Sequence, residues 1–129
     1  MIEPGKCVMI VVTKKNCSLC NNFMQNHFRS IMSHLTGHVN VIAIETSDTL
    51  LCPDFLDPYV QEFPTILMCS YNEYQKFFNN NGTLKRTSGN FSCEVLGRQN
   101  GQHVLSVSSV HNVVNVCVNW ALFTCSRLR

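Results

Sequence analysis

Cys17 and Cys20 are the residues whose types and spacing most directly suggest chemistry. A C-x-x-C spacing sets both sulfurs on one side of a helical turn, where they can exchange between dithiol and disulfide. The first N–H groups of a helix lack intrahelical acceptors and carry partial positive charge, so a thiolate placed there is stabilised. Cys17 would occupy that exposed end and attack a substrate disulfide. Cys20, one turn further in, would then attack Cys17 and release the reduced substrate. Lys14 and Lys15 lie just upstream and would add positive potential.

The alternative chemistry for such a pair is zinc, which in a structural site needs four ligands. No second C-x-x-C exists, and His34 and His38 stand too far along the same helix to share a metal with Cys17. His27, His103 and His111 read as packed or surface residues.

Positioning Cys17 requires a strand that ends just before it and a helix that begins there. Lys6 to Thr13 is an almost continuous apolar, β-branched run, the pattern of a strand buried on both faces. The period then changes. Cys20, Phe23, Met24, His27, Phe28, Ile31 and Leu35 recur at threes and fours, predicting one helix face that ends near Gly37. Val39 to Glu45 is a second strand, and the three elements make a right-handed β-α-β unit with parallel strands. Pro53 and Pro58 exclude a long helix between Ser47 and Glu62 and leave short helical turns around Pro53 to Tyr59. Phe63-Pro64-Thr65 opens a third apolar run, Thr65 to Cys69. Asn79-Asn80-Asn81-Gly82 reads as a turn joining antiparallel strands Gln75–Phe78 and Thr83–Thr87, with a further short strand near Cys93 to Leu96. From Val107 to Ala121 helical spacing returns, and its length outweighs the strand preference of valine.

The length of 129 residues suits one domain over 1–129 with a single core. Ten Lys plus Arg face eight Asp plus Glu, and the basic residues are scattered. Phosphate binding needs a concentrated basic patch, so nucleic acid is not an expected partner. No run approaches the roughly 20 apolar residues that cross a bilayer, so no membrane partner is expected either. Without the features of a secretory signal, the expected location is the reducing cytoplasm, and three Asn-x-Ser/Thr sequons carry little weight. Cysteines such as Cys7, Cys69 and Cys117, set among apolar neighbours, then read as buried thiols acting as small hydrophobes.

Two stretches resemble the thioredoxin and glutaredoxin superfamily. Lys14-Lys15-Asn16-Cys17-Ser18-Leu19-Cys20 is similar to the glutaredoxin pattern K-x-x-C-x-x-C, and Phe63-Pro64-Thr65-Ile66-Leu67 to the cis-proline motif of thioredoxins. The Cys-Ser-x-Cys form also looks somewhat like that of glutaredoxin-2-like proteins of large DNA viruses. The resemblance implies an α/β, thioredoxin-like fold with a central mixed four- to five-stranded sheet flanked by helices. It implies that Cys17 and Cys20 are catalytic, that Pro64 is cis and faces them, and that Phe63 offers its backbone to substrate. Thr65 and Lys14 complete the implied substrate-binding set. Protein disulfides or dithiols and a thiol reductant or oxidant are the implied partners, with no cofactor beyond the redox-active disulfide.

The chain also departs from the family. Ser18-Leu19 replaces Gly-Pro or Pro-Tyr, Asn16 stands where thioredoxins carry tryptophan, and apolar residues such as Val11 replace their buried acid. Gly89-Asn90 is a poor substitute for a Gly-Gly and acidic glutathione motif, which leaves glutathione use open. These departures motivate a second expectation, a thioredoxin-like binding or assembly module with little or no redox turnover.

Overall fold

The computed structural model describes residues 2–47, 51–96, 98–99, 102–103 and 110–128. Its centre is strand β1, Val8–Lys14, in which every residue before Lys14 is buried. Strand β2, Asn40–Thr46, lies parallel to it in register from Val8↔Asn40 to Lys14↔Thr46. Strand β3, Thr65–Cys69, lies antiparallel on the other side, from Val8↔Cys69 to Val12↔Thr65. The short β4, Glu94–Val95, pairs antiparallel with β3, giving a mixed four-stranded sheet of order β2-β1-β3-β4. A separate two-stranded antiparallel sheet pairs β5, Arg98–Gln99, with β6, Gln102–His103. As an edge strand, β2 is more open than its apolar sequence suggests, with Ala43 and Glu45 exposed.

Helix α1, Ser18–Phe23, runs through a π-helical stretch, Met24–Phe28, into α2, Arg29–Leu35. The buried positions Phe23, His27, Ile31 and Leu35 are spaced by four. On an ideal helix of 3.6 residues per turn that spacing drifts about 40° per step around the axis. A wider turn in the middle returns these side chains toward one face. Gly37 follows at φ +86°, a left-handed conformation that a Cβ would disfavour.

The sequence reading of Gln75–Phe78 as a strand is corrected. Tyr71–Phe77 is helix α3, capped by Ser70, whose hydroxyl accepts the Glu73 N–H at 3.1 Å. Ser-x-x-Glu is a capping-box spacing, and it overrides the strand preference of the aromatic residues that follow. The Asn79–Gly82 turn is present: Gly82, at φ +89°, donates its N–H to the Asn79 carbonyl at 3.0 Å. The expected hairpin reduces to a single bridge, Phe78↔Leu84. Asp57–Tyr59 forms a 3₁₀ turn within the short helical region expected there. The last helix, α4, spans Val110–Leu128, and Val107 lies outside the described residues.

Alternation along β1 divides the core between the two faces of the sheet. Cys7, Met9 and Val11 pack with Phe23, Ile31 and Leu35 of α1–α2 and with Val113, Cys117, Ala121 and Cys125 of α4. Val8, Ile10 and Val12 pack with Tyr74, Phe77 and Phe78 and with Phe55 and Phe91 from the loops. Phe55 stacks on Phe77 at 4.3 Å between ring centroids and meets Phe91 edge-on at 5.2 Å, so the loops are tied to α3. Among the described residues no helix is long and apolar enough to cross a membrane.

The reading of Cys7 as a free thiol is also corrected. Cys7, just before β1, is bonded to Cys125 in the last two turns of α4, with Cα atoms 5.8 Å apart. That separation lies within the usual disulfide range. The apolar positions Val113, Cys117 and Ala121 recur every four residues, and the next step of the series is Cys125, which turns its sulfur toward β1.

Candidate active site

The end of β1 builds the site. Lys15 N–H continues the strand ladder by donating to the Thr46 carbonyl at 3.0 Å, and Thr46 Oγ1 donates to the Thr13 carbonyl at 3.0 Å. The chain then turns at Asn16, whose φ of +59° is left-handed and tolerated by asparagine. Cys17 follows in extended conformation as the N-cap of α1, where its Sγ accepts the Cys20 N–H at 3.2 Å. The Cys17 carbonyl accepts the Asn21 N–H at 2.9 Å, so the first helical turn is fixed around the sulfur. Cys17 and Cys20 stand at disulfide distance, with Cα atoms 5.2 Å apart.

Exposure separates the two sulfurs. Cys17 is partly exposed, whereas Cys20 is 1 % exposed. An incoming thiol or disulfide therefore meets Cys17, and Cys20 is reached from Cys17.

Because β3 returns antiparallel, its first residue pairs with Val12 near the end of β1. This brings Phe63-Pro64-Thr65 to the cysteines from 46 residues further along the chain, and the Phe63–Pro64 peptide is cis. The Phe63 carbonyl oxygen lies 4.0 Å from Cys17 Sγ. Pro64 and Thr65 are buried, and the Thr65 hydroxyl donates to the Glu62 carbonyl, which fixes the turn before β3. The Lys14 ammonium sits over the Phe63 ring, 5.3 Å from its centroid. Cys17, Cys20, Phe63 and Lys14 thus meet at one corner of the molecule, with Pro64 and Thr65 beneath.

The unbonded thiols differ from this pair. Burial, with the Asp57 carboxylate adding to it, pushes Cys52 up to about 11. Burial first, and then Glu73 and Glu94, pushes Cys93 up to about 12, and burial alone does the same for Cys117. Cys69 is pushed up as well, by burial and then by Cys93 and Glu73. At neutral pH these four stay protonated and are poor nucleophiles.

Val11 on β1 is fully buried and apolar, and no carboxylate is buried among the described residues. His27 is 4 % exposed, packs 6.1 Å from the Phe23 ring, and has an Nδ1 without a hydrogen-bond partner. Among the described residues no group of three or more His, Cys, Asp or Glu is placed to hold a metal ion. Sequence reasoning missed Cys125, although the four-residue series through α4 points to it. No protein-family model, curated protein or solved structure matches this chain.

Proposed function

We propose that the protein is a thioredoxin-like thiol–disulfide oxidoreductase that acts on protein disulfides through Cys17 and Cys20. The observation that carries this reading is the asymmetric pair: an accessible Cys17 capping a helix, within bonding distance of a buried Cys20. In the reducing direction, the Cys17 thiolate attacks a substrate disulfide, forms a mixed disulfide and expels one substrate thiolate. Cys20, as thiolate, then attacks Cys17 Sγ, expels the second substrate thiolate and leaves the Cys17–Cys20 disulfide. The helix N-terminus favours the Cys17 thiolate, and the Cys20 N–H directed at its sulfur adds to that preference.

The mixed sheet and the cis Phe63–Pro64 peptide facing the pair support the thioredoxin-like part of the reading. By that likeness, the backbone at Phe63 receives the substrate chain and Lys14, over the Phe63 ring, borders the docking surface. The partners are protein disulfides or dithiols and a thiol reductant or oxidant, with no cofactor beyond the cysteine pair, in a cytoplasmic setting. The test is reduction of insulin followed by turbidity, together with reduction of a glutathione mixed disulfide. Wild-type protein should turn over in at least one assay and Cys17→Ser in neither; an inactive wild type in both refutes the reading.

One observation favours a second reading, a docking or assembly module: among the described residues, no carboxylate is buried to take the proton from Cys20. Under it, Cys17→Ser/Cys20→Ser binds the partner as tightly as wild type does.

A further inference from the structure

The Cys7–Cys125 disulfide takes no part in the chemistry at Cys17. The two pairs flank opposite ends of β1, whose seven residues separate them by roughly 23 Å at the usual strand rise. They are too far apart to exchange with each other directly. We propose that Cys7–Cys125 is a second thiol–disulfide exchange site, entered by a small peptide-like thiol through the cleft beside Cys125.

That cleft holds about 180 Å³ and is lined by His38, Val39, Leu122, Cys125 and Ser126. It lies between the end of α2 and the last turns of α4. His38, Leu122 and Ser126 are exposed and form its mouth, while Val39 is buried and forms its floor. The lining combines polar residues, His38 and Ser126, with apolar ones, Val39 and Leu122, which suits a thiol carrying amide and carboxylate groups on a short aliphatic arm. Cys125 belongs to the wall and Cys7 does not. Both residues are 3 % exposed, so general exposure does not distinguish them, and the cleft is the proposed approach to Cys125.

The chemistry follows from that placement. A thiolate entering the cleft bonds to Cys125 Sγ, and the Cys7–Cys125 bond breaks with its electron pair on Cys7, which takes a proton from solvent. A second thiolate attacks the sulfur of the bound thiol, forming a small-molecule disulfide and freeing Cys125. Two thiols are oxidised and one protein disulfide is reduced. The C-terminal end of α4 then loses its covalent tie to β1 and is held by its packing and by the Arg127–Glu94 ion pair.

The test uses Cys17→Ser/Cys20→Ser protein, so that only this bond can react, with reduced glutathione as the probe and no denaturant. The reaction is quenched with acid, free thiols are alkylated, and peptides are mapped without reduction. The expected result is glutathione on Cys125 and alkyl label on Cys7, at a rate that rises in proportion to glutathione concentration. Filling the mouth with Ser126→Trp should slow the reaction at least tenfold while the far-ultraviolet circular dichroism is unchanged. Glutathione on Cys7, a rate that plateaus at the global unfolding rate, or no reduction short of unfolding would each overturn the proposal. If Ser126→Trp does not fold, the adduct position and concentration dependence in the parent decide alone.

Discussion

Replacing both Cys7 and Cys125 by alanine should remove a large part of the folding free energy while leaving the Cys17 site intact. The two cysteines are 118 residues apart, so their bond closes nearly the whole chain into a loop. For a loop of that length, the chain-entropy relation assigns about 5 kcal/mol to the restriction of the unfolded state. Native disulfides commonly deliver less than this ceiling, which puts the expected loss at about 2–5 kcal/mol. At roughly 4 °C per kcal/mol for a chain of this size, Tm should fall by roughly 8–20 °C. Alanine keeps both buried sites apolar, so lost packing adds little beyond the two sulfurs.

Urea unfolding separates this mechanism from a packing defect. A tethered unfolded chain is more compact, so removing the tether should raise the m-value as well as lower the midpoint. A change below about 1 kcal/mol with an unchanged m-value would refute the reasoning, because the bond would then be absent or without entropic effect. Cys17→Ser/Cys20→Ser protein treated with a reductant should match the corresponding quadruple variant. If the reductant leaves its midpoint unmoved, the Cys7–Cys125 bond does not form in solution.

Cys20→Ser should accumulate a mixed disulfide at Cys17 with a substrate peptide, seen by mass spectrometry; an adduct elsewhere contradicts the assigned order of attack. Burial raises the Cys93 and Cys117 thiols from 9.0 to about 12, so the folded state holds their protons more tightly than the unfolded state does. That preference is fully present below pH 9 and is lost as pH climbs through 12, so the urea midpoint should fall across this window, less steeply in Cys93→Ala/Cys117→Ala. Ser70→Ala should cost about 1 kcal/mol by removing the α3 cap, and a loss no larger than experimental error would contradict the capping assignment. A double-mutant cycle of Lys14→Ala and Phe63→Ala should show a coupling of about 0.5–1 kcal/mol, the usual worth of an exposed cation–π contact.

Local chemistry made much of this legible. The β1 run, the helical period from Cys20 to Leu35 and the apolar stretch after Pro64 each fit one backbone state, and all three appear within a few residues of their expected ends. α3 was misread because two local signals competed: Tyr74, Phe77 and Phe78 favour strand, and Asn81-Gly82 invites a hairpin. The Ser70-x-x-Glu73 cap decided for helix, and it was visible in the sequence. Non-local partners were not legible in the same way. The meeting of Phe63 with Cys17 depends on the antiparallel return of β3, and no local pattern specifies which strand β3 pairs with. The bond from Cys7 to Cys125 depends on α4 lying along the same face of β1 as α1 and α2.

Both disulfides branch from the ends of one buried strand, yet loop length gives them opposite consequences. Cys17 and Cys20 are three residues apart in a helical turn whose hydrogen bonds run through the backbone. Opening that bond frees almost no chain and leaves the fold in place, as the proposed turnover requires. Opening Cys7–Cys125 releases a loop of nearly the whole chain, so every reduction there changes the stability of the entire molecule. A centre meant to turn over needs the first arrangement: one accessible sulfur, a short loop and a rigid frame. Under the proposed exchange at Cys7–Cys125, the second arrangement couples reduction to stability, with both cysteines buried. Cys17 is partly exposed at a strand end and Cys125 is buried within the last turns of α4, which is the difference the two proposals require.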